Sequence, residues 1–397
     1  MGLCETFGEI MEFETEAIHV GDEPNLEVGG TGDINTPIHL SSTFARREVD
    51  KPTGGYAYSR TDNPTRHALE SKLAAIEGAK HGIAFSSGLA AETSLFLALL
   101  KAGDNIVAFD DLYGGTKRLL DKVMAKFGVS VTYVDATNSS NVRKAMRKNT
   151  RLVWLETPTN PLLKLCDIRA ISSIAHEHGA VVGVDNTFAT PYFQRPLELS
   201  ADVSVYSTTK YINGHSDSIG GAIMLSDETL YEKIKFLQNA AGTLLSAFDS
   251  YLVMRGIKTL PLRMREHGLN AVKVAEFLES QSAVSKVRYP GLESHPQHEL
   301  AKRQMNGFGG MITFEVKGGR RAAMKFLESL RLVSLAEDLG GVKSLAEHPA
   351  SMTHSEIPRK AREELGISEA LIRLSVGLEN ADDIIMDLKA TLKAVGR

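Results

Sequence analysis

Asp185, closing the β-rich run Ala180–Val184, and Lys210, just beyond the next such run, place an acid and an amine where two strands of one sheet would end. Ligands bind at the carboxyl ends of strands in open α/β sheets, so the two residues suggest a shared cleft. The hydroxyls of Ser207, Thr208 and Thr209 stand immediately before the lysine and add donors for a phosphate. A lysine held in a closed site can lose its proton and act as an amine nucleophile. Upstream, Ser86-Ser87-Gly88-Leu89-Ala90 follows another β-rich run and feeds a helix, whose free N–H groups and dipole suit a phosphate. Taken singly, Ser87 reads as a plain helix cap, Asp185 as a cap and Lys210 as a surface charge. Chemistry that needs a carboxylate, a nucleophilic lysine and a phosphate cradle together is pyridoxal-phosphate catalysis.

The elements that must position these residues follow from hydrophobic period. Strands are expected at His81–Phe85, Asn105–Phe109, Ser130–Val134, Arg151–Leu155, Ala180–Val184, Asp202–Tyr206 and Gly220–Leu225. Between them Arg66–Gly78, Ala90–Lys101, Thr116–Phe127, Val142–Arg147 and Ile168–His178 read as helices, giving an α/β domain with a mostly parallel seven-stranded sheet. Helical stretches follow at Tyr231–Ala240 and Phe248–Ser280, the second interrupted at Gly256 and Pro261. Further strands at Val284–Tyr289, Gly310–Val316, Leu332–Ala336 and Ala370–Ser375, with helices at Arg321–Leu330 and Ala381–Ala394, predict a smaller α+β domain. The expected division is an extended arm over 1–62, a large domain over 63–255 and a small domain over 256–397.

Composition narrows the alternatives. The 397 residues are 43% apolar and 24% charged, ordinary globular usage, with 45 Lys+Arg against 49 Asp+Glu. A net charge of -4 offers no field for nucleic acid. Two cysteines, Cys4 and Cys166, are too few for a disulfide framework or a thiolate metal site, and no metal is expected. The first ten residues lack the basic and apolar regions of a secretory signal, and no apolar run approaches the roughly 20 residues that span a bilayer. A cytoplasmic protein that binds no membrane is the expectation. No G-x-G-x-x-G follows a strand, Gly29-Gly30-Thr31-Gly32 lying in the arm, which argues against a Rossmann dehydrogenase. His176 and His178 read as solvated charges at a helix end, and His215 as either structural or functional.

Seven short strings then fall in one order along the chain: Tyr58-Ser59-Arg60 with Asn63-Pro64-Thr65, Ser86-Ser87-Gly88, Tyr113-Gly114-Gly115-Thr116, Glu156-Thr157-Pro158-Thr159-Asn160-Pro161, Val184-Asp185-Asn186-Thr187, Ser207-Thr208-Thr209-Lys210 and Arg373-Leu374-Ser375-Val376-Gly377. Together they resemble the Cys/Met-metabolism family of pyridoxal-phosphate enzymes, the trans-sulfuration enzymes, from about Thr15 to Leu392. The resemblance implies a fold-type-I pyridoxal 5'-phosphate enzyme in which Lys210 bonds the cofactor and Asp185 sits under its ring nitrogen. It implies that Tyr113 stacks on the ring and moves protons, that Asn160 lies near the phenolic oxygen and that Thr187 packs beside the ring. The implied phosphate ligands are Gly88, Leu89, Ser207 and Thr209, with Tyr58 and Arg60 supplied by a neighbouring subunit. A homo-oligomer follows, a tetramer built from dimers with shared active sites. Arg373 is implied as the fork on the substrate α-carboxylate.

γ-Elimination and γ-replacement share the loss of protons at Cα and Cβ, with Lys210 and Tyr113 as bases. Methionine-cleaving members of the family carry Cys where this chain has Gly115, which argues against that activity. Glu337 matches a glutamate typical of γ-acting members and is expected to bind the distal ammonium of cystathionine. Leu237-Gln238-Asn239 is more similar to the lyases than to the synthases, and Thr353 is expected as a further substrate contact. One position departs: Asp338 stands where the family reads Ser, and its charge would either repel the substrate carboxylate or hold a cationic partner. The expectation is a small sulfur amino-acid substrate and γ-elimination of L-cystathionine to L-cysteine, 2-oxobutanoate and ammonia. The alternatives are γ-replacement joining O-succinyl- or O-acetylhomoserine to cysteine and, in another class, a cofactor-bound regulatory protein without turnover.

Overall fold

A computed structural model describes residues 11–27 and 30–395; Cys4, Gly29 and the first ten residues discussed above lie outside them. The seven expected strands all form: β1 His81–Phe85, β2 Asn105–Phe109, β3 Ser130–Val134, β4 Thr150–Glu156, β5 Val181–Asp185, β6 Val203–Ser207 and β7 Gly221–Leu225. They make one sheet in the order β1-β7-β6-β5-β4-β2-β3. β7 runs antiparallel to both β1 and β6, and the other pairings are parallel. β2 and β7 are buried along their whole length, which is why they read as unbroken apolar runs rather than alternating ones.

Helices start where the sequence supplies caps. Asn63 accepts from the N–H groups of Thr65 and Arg66 to open the helix Pro64–Glu77, and Ser87 accepts from Ala90 to open Gly88–Leu99. The interrupted stretch after β7 resolves into Ala247–Ile257 and Leu260–Glu279, with Pro261 in the first turn of the second, where its missing N–H has no intrahelical role. Leu260 and Met264 of that helix pack against Phe188 and Tyr211, while Ala271, Val274 and Leu278 join a separate core. One helix thus links two packed bodies.

The second core covers a five-stranded sheet of β8 Val284–Arg288, β9 Met311–Val316, β10 Ser334–Leu335, β11 Leu345–Glu347 and β12 Leu371–Ser375, in the order β10-β11-β12-β9-β8. Sequence period misses β11, because three residues show no alternation, and it lengthens β10, which keeps only two. Helices at Phe13–His19, His298–Gln304 and Arg359–Leu365 were also not expected; seven residues each is too short a window for a 3.6 period. The first of these departs from the expectation of an extended arm. The fully buried Lys72 ammonium donates to the carbonyls of Ala17 and Ile18 at its end and pairs with Asp22, fastening the arm's start to the body. Among the described residues no helix is long and apolar enough to cross a membrane, and no cluster of ligating side chains could hold a metal.

Candidate active site

Asp185 ends β5, Ser207 ends β6 and Glu156 ends β4, so three adjacent strands deliver polar residues to the same edge of the sheet. Loops from the second sheet face that edge across a cavity of about 1050 Å³. Thirteen expected site residues line it: Gly88, Leu89, Tyr113, Asn160, Asp185, Thr187, Ser207, Thr209, Lys210, Glu337, Asp338, Thr353 and Arg373.

At the floor, Asp185 accepts from the Thr187 N–H at 2.9 Å, while the Thr187 hydroxyl accepts from Ser207 N–H at 2.9 Å. Burial raises the Asp185 pKa, and the carboxyls of Glu92 and Glu156 are pushed well above the usual range by burial and then by Asp185. Three acids clustered in a buried floor call for a cationic partner. Glu92 Oε2 is buried and has no hydrogen-bond partner.

On one side, the first N–H groups of the helix Gly88–Leu99 have no intrahelical acceptor. Gly88 allows the helix end to approach Ser207, since a Cβ there would lie 3.1 Å from Ser207 Cβ. Thr209 lines the same wall, its hydroxyl exchanging hydrogen bonds with the backbone of Gly220 at 3.2 and 3.0 Å. Above, the Tyr113 ring is partly exposed, and burial raises the pKa of its phenol. A Cβ at Gly115 would come within 2.4 Å of that ring, so glycine at this position lets the ring lie against the start of its own helix.

On the opposite wall Arg373 is buried, a cross-strand partner of Glu347 in the β11–β12 register. Its guanidinium reaches Glu347 Oε1 at 3.0 Å and Asn160 Oδ1 at 3.0 Å, and donates to the Glu337 carbonyl at 2.7 Å. Thr353 donates to the same Glu347 oxygen at 2.8 Å. Asp338 projects into the cavity and meets Lys210, Oδ1 to Nζ 2.5 Å; of the two expectations for this charge, the structure shows the cationic partner.

Tyr58 and Arg60 do not line this cavity. Arg60 donates to the backbone and side chain of Asn239 and lies over the Tyr58 ring, 5.6 Å from its centroid. His176 meets Asp202 and His178 its own helix's Ile174 carbonyl, while His215 bonds the Asn213 carbonyl, so none of the three reaches the cavity. Glu156 stands in one of the seven strings without a role, and Glu347 carries none either. A glutamate closing the apolar run Leu152–Leu155 was the available signal for the first; the second has none, because only strand register brings Glu347 to Arg373.

The donor set suits a phosphorylated pyridine aldehyde: an amine to bond the carbonyl, acids beneath a ring nitrogen, an aromatic face, and hydroxyls with a helix N-terminus for the phosphate. The model of the Cys/Met metabolism PLP-dependent enzymes matches residues 14–393. The chain belongs to that family. Among curated members it is similar to a cystathionine gamma-lyase of Sus scrofa, 51% identical over 383 residues, 96% of this chain and 94% of the other. It is also 50% identical to a cystathionine beta-lyase of Lactococcus lactis subsp. cremoris over 380 residues, 96% of this chain and 98% of that one. The crystal structure of a cystathionine gamma-lyase from Lactobacillus plantarum, complexed with L-serine, superposes with a TM-score of 0.93 at 44% identity, covering 97% of this chain and all (100%) of that one. The protein is therefore a fold-type-I, pyridoxal-phosphate-dependent enzyme of the Cys/Met-metabolism family.

Proposed function

We propose that this family member is a cystathionine γ-lyase, converting L-cystathionine and water to L-cysteine, 2-oxobutanoate and ammonia. The observation that carries this reading is Glu337, which lines the same cavity as Lys210, Tyr113 and Arg373 and offers a carboxylate to an ammonium at the far end of the substrate.

Bound pyridoxal phosphate supplies an electron sink for negative charge developing at the substrate Cα. Asp185 would hold the ring nitrogen, Asn160 and Thr187 would flank the ring, and Gly88, Leu89, Ser207 and Thr209 would hold the phosphate. Arg373 takes the α-carboxylate through the fork geometry that lysine lacks, and its contacts to Asn160 and Glu347 fix the guanidinium before substrate arrives. Lys210 would hold the cofactor through its amine, and its Nζ would take the substrate Cα proton. Tyr113, on the cavity wall, would serve the second proton transfer, at the substrate Cβ, that precedes loss of the sulfur at Cγ. Thr353 supports this wall through Glu347.

The arm extends the proposal to assembly. Tyr58 and Arg60 lie away from the cavity of their own chain, and the arm exposes Leu26, Ile34, Leu40 and Val49. Such a surface fits a second copy of the chain, with Tyr58 and Arg60 completing the partner's phosphate site in a homotetramer built from dimers.

Product analysis by mass spectrometry tests the reaction. The cofactor-loaded protein is given cystathionine alone and, separately, O-acetyl- or O-succinylhomoserine with cysteine. Cysteine and 2-oxobutanoate in the first tube support the lyase. Efficient cystathionine formation in the second makes it a γ-synthase, and homocysteine with pyruvate makes it a β-lyase and overturns the reading of Glu337.

A further inference from the structure

Glu156 closes β4 with both carboxylate oxygens committed to backbone donors on different segments. Oε2 accepts from the Tyr113 N–H at 2.8 Å, and Oε1 accepts from the Asn160 N–H at 2.6 Å. Tyr113 stands between β2 and the short helix Gly114–Arg118; Asn160 lies in the loop that leaves β4. The chain of contacts continues, because Asn160 Oδ1 accepts from Arg373 at 3.0 Å. Glu156 is nine-tenths buried or more and sits opposite Asp185 in the β4–β5 register. A single rigid strand end therefore holds, through two hydrogen bonds, the aromatic over the site and the amide that steadies the arginine across it.

We propose that Glu156 is a positioning residue that sets the Tyr113 ring and, through Asn160, the Arg373 guanidinium at one fixed spacing across the cavity. The proposal rests on the roles assigned above to Tyr113 and Arg373, but not on which C–S bond is cleaved. Its physical basis is geometric: a carboxylate has two acceptor oxygens and an amide only one. In Glu156→Gln one of the two backbone N–H groups would face another donor, so its segment must move. Misplacement by about 1 Å, even away from the chemistry, can cost as much as 100-fold in rate.

The test uses ligands that need no γ-chemistry. The cofactor-loaded enzyme is titrated with L-alanine and with ethylamine, which lacks the carboxylate, and the ratio of the ethylamine dissociation constant to that of L-alanine reports how well Arg373 is placed. In Glu156→Gln that ratio is expected to fall about tenfold, with ethylamine binding little changed, and the visible circular dichroism of the bound cofactor is expected to change as Tyr113 shifts. Asn160→Ala cuts the link to Arg373 but keeps the backbone N–H on Glu156, so it should lower the ratio as well; only the ratio is read in this variant, because Asn160 itself flanks the ring. Thermal unfolding of each variant separates loss of fold from loss of placement. A parent-like ratio and dichroism in Glu156→Gln, or an unchanged ratio in Asn160→Ala should the first variant not fold, overturns the proposal. Failure of the parent to release cysteine from cystathionine would overturn the γ-lyase reading and leave this one standing.

Discussion

The carboxylate of Asp338 holds the ammonium of Lys210, Oδ1 to Nζ 2.5 Å, inside the cavity that Arg373 also faces. The same residue's backbone carbonyl lies 3.4 Å from Arg373 Nη2, so its negative side chain is anchored close to the guanidinium proposed to take the substrate carboxylate. Two like charges brought that near repel. Asp338→Ser is expected to lower the KM for an amino-acid substrate by about threefold to tenfold, an effect of roughly 1 kcal/mol. Steady-state kinetics on cystathionine check it, and an unchanged KM would mean that the Asp338 charge stays turned away from bound substrate.

Among the described residues Lys210 supplies the one amine that lines the cavity, so it should carry the covalent link to the cofactor. After borohydride treatment, peptide mass mapping is expected to find pyridoxyl on Lys210 in the parent and on no residue in Lys210→Ala. A pyridoxylated peptide elsewhere in the variant refutes the assignment.

Glu347 is fully buried against Arg373. Burial raises its pKa and Arg373 lowers it, the first effect being the larger. Removing one member of a buried pair leaves the other charge uncompensated, so Glu347→Ala is expected to cost about 3 to 5 kcal/mol in chemical denaturation and to raise the KM for amino-acid substrates. Stability equal to the parent would show that water or a neighbour replaces the carboxylate.

Glu77 is buried with hydrogen bonds from the Ser204 hydroxyl at 2.6 Å and the Tyr206 phenol at 2.5 Å, and burial raises its pKa to about 7. The folded state then binds the proton more tightly than the unfolded one. Stability from this group is complete below about pH 4.5, falls as the pH rises towards 7 and is flat beyond, a loss on the order of 3 kcal/mol. Glu77→Gln should remove that slope; urea unfolding of both proteins at pH 5 and pH 8 measures it.

If Tyr58 and Arg60 complete the neighbour's site, two inactive variants should rescue each other. Arg60→Ala and Lys210→Ala, unfolded and refolded together, are expected to regain a fraction of parent activity, because a mixed dimer contains one site with both residues intact. No gain over the separate variants would place Arg60 outside the partner's site.

Much of the site was legible along the chain because fold-type-I chemistry puts its groups at strand ends, and strand ends are marked by where apolar runs stop. Asp185, Ser207 and Lys210 are of this kind: each follows directly from a run that any reader of period would assign to a strand. The seven strands of the large sheet were legible for the same reason, burial on both faces leaving little room for a polar residue. The short elements were not. β11 has three residues, and the helix Arg359–Leu365 has seven, so neither shows a period long enough to read.

Residue types and their order along the chain thus settled the cofactor chemistry and the membership of Lys210, Asp185, Tyr113 and Arg373 in one site. Tertiary structure decided which groups touch. Glu347 meets Arg373 only through antiparallel register, Asp338 meets Lys210 across 128 positions of chain, and Glu156 joins Tyr113 to Asn160 from the end of a third strand. Period and motif report the environment of each residue locally, whereas hydrogen bonds and ion pairs act over about 3 Å between segments whose separation along the chain carries no record of their approach.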